Sequence, residues 1–215
     1  MKILTLTMSL LLVTSLANAD LLNLSTEKTS QPIQGIEISK SATTQIEGKD
    51  ALLTTLGAGL RQKKVFVMNV NVYVGALFSD DASKVVRDES KFLDSLDSTQ
   101  TAAFRMTFLR SVTSDQLMVA FRDAFNANNV KIEGSVQELL NAVSSANSVN
   151  TNESITFVMH KNQDGSEFVE FENATRGVTT IKGNKGLSKS VLSLWLGAPA
   201  DAGVAALKSQ IVKGF

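Results

Sequence analysis

Along residues 103–112, AFRMTFLRSV, the apolar positions Phe104, Met106 and Phe108 alternate with Arg105 and Thr107. That two-residue period predicts a half-buried strand. The period changes at Thr113: Leu117, Ala120, Phe121, Ala124 and Phe125 now recur at three and four residues, which predicts an amphipathic helix. Thr113 followed by Gln116 is the capping-box pattern that opens one. A second helix is predicted over 136–146. From 152 the strand period returns, with Ile155, Phe157 and Met159 alternating, a hairpin turn at Asp164-Gly165, and Phe168 and Phe171 on the return strand. A third strand is predicted over 177–181. The chain closes with two helices: Gly197 caps the end of the first, Pro199 blocks its continuation, and Asp201 caps the start of the last.

The earlier half is less regular. Residues 33–48 alternate weakly and predict two short strands, and 79–97 predicts one or two short helices. The strongest strand signal covers Val65 to Phe78. Its apolar phase changes between Val67 and Val70, where a bulge is expected. Just before it lies LGAGLRQK, residues 56–63. Gly57 and Gly59 permit a tight turn or close approach to a neighbour, so this stretch is expected as a corner that delivers Arg61 to the start of the strand. The order strands, helices, strands, helices gives an α+β fold with an antiparallel sheet and helices on one face.

Residues 1–19 stand apart. One lysine, an apolar run from Ile3 to Leu16 and the sequence Ala17-Asn18-Ala19 are the three parts of a secretory signal peptide. Cleavage near Ala19 leaves a periplasmic or secreted protein beginning at Asp20, with no integral membrane segment. Residues 20–32 are expected as a flexible leader and 33–215 as one domain. The chain has no cysteine, so neither disulfides nor thiolate sites contribute. Its 21 basic and 21 acidic residues balance, which removes the basic field that nucleic-acid binding needs.

Little conventional catalytic chemistry remains. His160 is the only histidine, which excludes a histidine metal cluster, and its place at a hairpin edge predicts a solvated side chain. Gly57-x-Gly59 lacks the third glycine and following helix of a dinucleotide loop. No cofactor and no metal are expected. Arg61 has two readings. As a surface residue it forms an ion pair contributing about 0–1 kcal/mol. Turned inward, its planar fork of donors holds a carboxylate or enolate at the mouth of an apolar pocket. An inward arginine requires an anion. No acid lies between Lys63 and Phe78, and Asp115 is the candidate protein partner in three dimensions.

Three blocks carry a family resemblance. GAGLRQKKVFVMNVNVYVGALF, FRMTFLRSVTSDQLMVAFRDAFNANN and SVLSLWLGAPADAGVAALKSQIV resemble, in the same order, segments of bacterial chalcone isomerase-like proteins, so the likeness runs from about Gly48 to Val212. The resemblance implies an open-faced β-sandwich with a large antiparallel sheet covered by helices. It also implies one of two activities. Plant chalcone isomerases close a flavanone ring with an arginine before the long strand, a threonine on that strand and a tyrosine on a helix. Related proteins bind fatty acids, the arginine holding the carboxylate. In this chain Arg61 matches the arginine. The threonine position falls at Met68, beside Asn69, and the helix tyrosine falls near Gln116 or Leu117, where no tyrosine stands.

A non-catalytic binder of a small apolar carboxylate or fatty acid is therefore expected, with Arg61 at the head group and Met68, Val70, Val72 and Phe121 around the tail. The alternative is an isomerase (intramolecular lyase) in which Asn69, Asn71 or Gln116 replaces the missing hydroxyls. A third reading is an envelope partner-binding protein without a small-molecule site, which an Arg61 directed to solvent with no cavity behind it would favour.

Overall fold

The computed structural model describes residues 20–29 and 31–215, so the expected signal segment 1–19 lies outside the described residues. Eight strands follow one another across a single antiparallel sheet in chain order: β1 (Asn23–Leu24), β2 (Ser41–Ile46), β3 (Lys49–Val65), β4 (Met68–Ser79), β5 (Thr101–Phe108), β6 (Ser154–Lys161), β7 (Glu167–Glu172) and β8 (Val178–Gly183). The helices are α1 (Phe92–Leu96), α2 (Ser114–Ala127), α3 (Gly134–Ser145), α4 (Leu187–Leu196) and α5 (Ala202–Lys213). Alternation sorts the strand side chains into two cores. Phe104, Met106, Phe108, Ile155, Phe157, Val169 and Phe171 join the helices in the larger one. On the other face, Ala58, Val74, Ala76, Phe78, Ala103 and Val158 are covered by Leu22, Ile38, Ala42, Ile46 and Leu53. The first strands thus curl behind the middle of the sheet. This is the α+β, open-faced sandwich expected from the sequence.

The later elements match the sequence pattern. Thr113 and Gln116 form the capping box of α2, Gly197 ends α4, and the Asp201 carboxylate accepts from the N–H groups of Gly203 and Val204 at the start of α5. Four expectations are corrected.

LGAGLRQK is no corner: it lies inside β3, a 17-residue strand. Its glycines answer to close approach, because α5 crosses directly above them. A Cβ on Gly59 would lie 2.8 Å from Gln210 Cβ, and one on Gly57 would overlap the Ile211 carbonyl oxygen. The phase change after Val67 is a two-residue hairpin turn at Phe66-Val67, not a bulge, since Val65 pairs with Met68. The true irregularities of the β3–β4 ladder are an extra residue, Leu56, in β3 between Thr55 and Gly57, and an extra residue, Val72, in β4 opposite the Arg61–Gln62 step.

The segment after Asp20 is tied down rather than loose. Leu22 is fully buried, β1 pairs with β2, and Asp20 meets Arg176 at 3.2 Å. His160 is buried, not solvated. Its Nδ1 lies 2.8 Å from the Thr101 hydroxyl, and desolvation pushes its pKa down against the opposing fields of Glu47 and Asp80. Among the described residues no group of histidine and carboxylate side chains is placed to hold a metal ion, and no helix is long and apolar enough to cross a membrane.

Candidate functional site

Arg61 is turned inward. The bulge at Thr55/Gly57 sets the phase of β3 so that Gly57, Gly59 and Arg61 all face the helices, while Ala58 and Leu60 face the back. The two glycines let α5 lie low on the strand, and the next residue in that row meets the beginning of the same helix. There Arg61, 8 % exposed as a residue, donates from its guanidinium to Asp201 Oδ2 at 2.5 Å and to the carbonyl of Gln62. Asp201, rather than Asp115, supplies the protein anion. Asp115 stands exposed in the first turn of α2.

Asp201 is held by more than its arginine. Partial burial pushes its carboxyl pKa up, but the bonds from Arg61 and from the N–H groups of Val204 and Gly203 prevail and bring it below the ordinary value. The turn that presents it is fixed by Asn128 at the end of α2. That amide donates to the carbonyls of Ala124, Ser193 and Ala198 and accepts from the Ala198 N–H at 2.7 Å. Three helices therefore meet at the turn carrying the carboxylate.

Across the β3–β4 ladder Arg61 stands opposite Tyr73, and Tyr73 stands opposite Phe108 on β5. The three side chains form a row on the helix face, with the Tyr73 and Phe108 rings 5.5 Å apart. Burial pushes the Tyr73 phenol up to about 12, against the lowering effects of the nearby Arg61 charge and of the Trp195 indole. At neutral pH the phenol is therefore a hydrogen-bond donor beside a permanent cation. Behind it the wall is aromatic. Trp195 stacks on Phe104 with centroids 4.0 Å apart and meets Phe121 and Phe157 at 6.0 and 5.4 Å.

The other residues singled out in the sequence are dispersed. Leu117 and Phe121 are buried in the helix-side core, and Val72 is half-buried against it. Val70 is half-buried on the hairpin, whereas Met68 and Asn69 lie exposed near its end. Gln116 spends its side chain on the Thr113 N–H in the capping box. Asn71 is engaged by Gln62 at 2.8 Å and Gln34 at 3.0 Å. The structure thus does not gather Met68, Asn69 or Gln116 around Arg61. Away from Arg61 lie a cavity of about 40 Å³ on the back of the sheet, lined in part by Val74, Phe78 and Arg105, and an open groove of about 520 Å³ beside Glu47, Lys49 and His160.

Tyr73, Asp201 and Trp195 are the members of the Arg61 cluster that sequence reasoning missed. Tyr73 had a signal. A two-residue turn at Phe66-Val67 with one extra residue in β4, Val72, places positions 61 and 73 opposite each other. Asp201 was legible as a helix cap, but no local pattern links it to a strand 140 residues earlier.

With the geometry described, comparison with known proteins places the chain. No curated protein shows significant sequence similarity to it. Among solved structures, a fatty-acid-binding protein of Arabidopsis thaliana is similar in fold, with a TM-score of 0.56 at 20 % identity, covering 87 % of this chain and 97 % of its own. The family model described as chalcone isomerase-like matches residues 30–211, nearly the whole described fold, and the chain belongs to the chalcone isomerase-like family.

Proposed function

We propose that this protein binds a small apolar carboxylate, such as a fatty acid, without turning it over, in the periplasm or outside the cell after removal of residues 1–19. The observation that carries the reading is the buried Arg61 guanidinium beside the neutral Tyr73 phenol, at the edge of a continuous apolar core. A permanent cation and a neutral donor on one apolar wall match a carboxylate, which accepts from both. In the described state the cation is occupied by Asp201, whose side chain is 44 % exposed. A half-exposed internal carboxylate is a counter-ion that an incoming one can displace. An Arg61 buried on the helix face also supports a small-molecule site over a role in partner binding alone. The Arabidopsis neighbour is named as a fatty-acid-binding protein, which supports the same ligand class.

The isomerase alternative draws on the same pair, because Tyr73 supplies one hydroxyl next to the cation. Ring closure needs further donors aimed at the developing oxyanion, and Met68, Asn69 and Gln116 stand away from Arg61 or are already engaged. Absorbance decay of a chalcone faster than in buffer would revive it.

The test of binding is the melting temperature of delipidated protein. Adding a long-chain fatty acid raises it, and the increment shrinks strongly in Arg61→Gln. Equal increments in both proteins would end the proposal.

A further inference from the structure

Beyond the Arg61–Tyr73 pair, β3 and β4 continue together as a ribbon of four more residue pairs, from Gln62↔Asn71 to Val65↔Met68. Among the described residues no strand pairs with either outer edge of this ribbon. β2 follows β3 only between Lys49 and Thr54, and β5 takes up β4 from Tyr73. With a rise of ~3.3 Å per residue, the ribbon reaches roughly 13 Å past the Arg61–Tyr73 pair.

Its tip is apolar. Phe66 is 93 % exposed, Val67 91 % and Met68 66 %, and none of them belongs to either core. Two-residue hairpin turns favour Asn-Gly and its kin, because central residues must take positive φ. Here Phe66 takes that conformation, at φ 54°, with a bulky side chain for which the region is unfavourable. Backbone preference opposes phenylalanine at 66, and hydration opposes both the exposed phenylalanine and the exposed valine at 67. Folding does not explain their presence, since they touch no core.

The charge pattern behind the tip points to a partner. Lys63 and Lys64 are exposed immediately before Val65, and strand alternation places them on opposite faces of the ribbon. No acidic residue occurs from Arg61 to Tyr73. An apolar point collared by cations on both faces matches a bilayer, which offers apolar chains below a layer of phosphates on every side of an inserted tip. A protein groove would contact the ribbon from one side and leave one lysine unmatched.

We propose that the β3–β4 hairpin docks on anionic lipid bilayers, with Phe66, Val67 and Met68 inserted at the acyl boundary and Lys63 and Lys64 at the phosphate level. This goes beyond the binding reading above and does not depend on which ligand Arg61 holds.

The test uses the chain from Asp20, which carries the whole sheet and every described helix, with vesicles of phosphatidylcholine and phosphatidylglycerol. The protein co-floats with these vesicles, and the partition coefficient falls roughly tenfold or more in Phe66→Ser/Val67→Ser and in Lys63→Gln/Lys64→Gln. The lysine variant loses most of its preference over pure phosphatidylcholine. In Phe66→Trp, vesicles shift the added emission to the blue and brominated lipids quench it. All three variants lie outside both cores, so unchanged thermal melts confirm their folds. Equal flotation of wild type and the serine variant overturns the proposal, as does no flotation of either. A wild-type dimer that the serine variant splits also overturns it, by assigning the tip to a second copy. The fatty-acid melting shift uses no vesicles and leaves the hairpin intact, so either idea can fail alone.

Discussion

Arg61 Nη2 lies 2.5 Å from Asp201 Oδ2, joining the middle of the sheet to the first turn of the last helix. The pair is asymmetric: the arginine side chain is 9 % exposed and the aspartate 44 %. Removing the carboxylate leaves a buried cation without its partner, while removing the cation leaves a half-solvated acid that still caps α5. Asp201→Asn retains an N-cap acceptor, so its cost is chiefly the lost charge-assisted bond, about 1.5–3 kcal/mol. If Asp201 occupies the place of a ligand carboxylate, the same variant shows a larger fatty-acid melting increment than wild type. Its free guanidinium gains more from the ligand. Denaturant unfolding with and without fatty acid measures both quantities. A smaller increment in Asp201→Asn would mean that the aspartate shapes the site rather than competes for it.

The ion pair also sets an acid limit. The Asp201 pKa is depressed in the folded protein, so its contribution is fully present above the unfolded value of about 3.9 and is lost as pH falls through the folded one. The stability difference between wild type and Asp201→Asn should stay constant from neutral pH to about pH 5 and narrow below about pH 4. A gap that narrows already around pH 6 would assign the effect to another group.

Tyr73 sets the opposite limit. Its phenol is raised to about 12, mainly by burial, against an unfolded value near 10. A raised folded pKa gives stability that is fully present below about pH 10 and is lost as pH climbs toward 12. Two units correspond to roughly 2.7 kcal/mol. Since Tyr73→Phe titrates everywhere else as wild type does, the difference between their unfolding free energies should change by about that amount across this window. Tyr73 is also the only tyrosine, so near-ultraviolet phenolate absorbance reads it directly. Ionisation near pH 10 in the native protein would contradict the burial.

The fold was largely legible because most of its signals are local. A period of two from Phe104 to Phe108, a capping box at Thr113 and Gln116, and Gly197, Pro199 and Asp201 each declare themselves within a few residues. Residues 49–65 misled for one physical reason. Gly57 and Gly59 carry no side chain toward the core because helix α5 occupies that space, so they interrupt the apolar alternation of a real strand and read as a break. The turn at Phe66-Val67 misled for the converse reason, since apolar residues occupy positions where turn chemistry expects glycine or asparagine. Of the site, Arg61 was legible as one of two local readings, and the resemblance favoured the inward one. Its partner Asp201, like Trp195 in the aromatic wall, comes from the other end of the chain, and only tertiary packing brings them in.

Trp195 anchors the helix layer. It is 1 % exposed, stacked on Phe104, edge-on to Phe121 and close to Phe157. Truncation to alanine removes this shared surface and leaves a cavity that the rigid sheet cannot close, at a cost of roughly 3–5 kcal/mol. The native emission of this only tryptophan should be blue and poorly accessible to water-soluble quenchers. Red, freely quenched emission would place the ring in solvent.

The glycines of β3 yield the sharpest packing prediction. Neither has a positive φ, so backbone strain is not at issue. Contact is. A Cβ on Gly59 would meet Gln210 Cβ at 2.8 Å and both Leu207 Cδ1 and the Leu207 carbonyl at 3.0 Å, so α5 must lift away from the strand to admit one. Lifting α5 also moves Asp201, its first residue cap, away from Arg61. Gly59→Val should therefore destabilise the protein by about 1–3 kcal/mol, the usual cost of overpacking, and should also weaken the Arg61–Asp201 link. A double-mutant cycle between Gly59→Val and Asp201→Asn separates the two effects. If the helix lifts as a body, the Asp201→Asn penalty is smaller in the valine background by more than the 0.3–0.5 kcal/mol within which independent sites add. Strict additivity would mean that α5 bends locally at Leu207 and keeps its N-terminus, and the carboxylate it carries, in place.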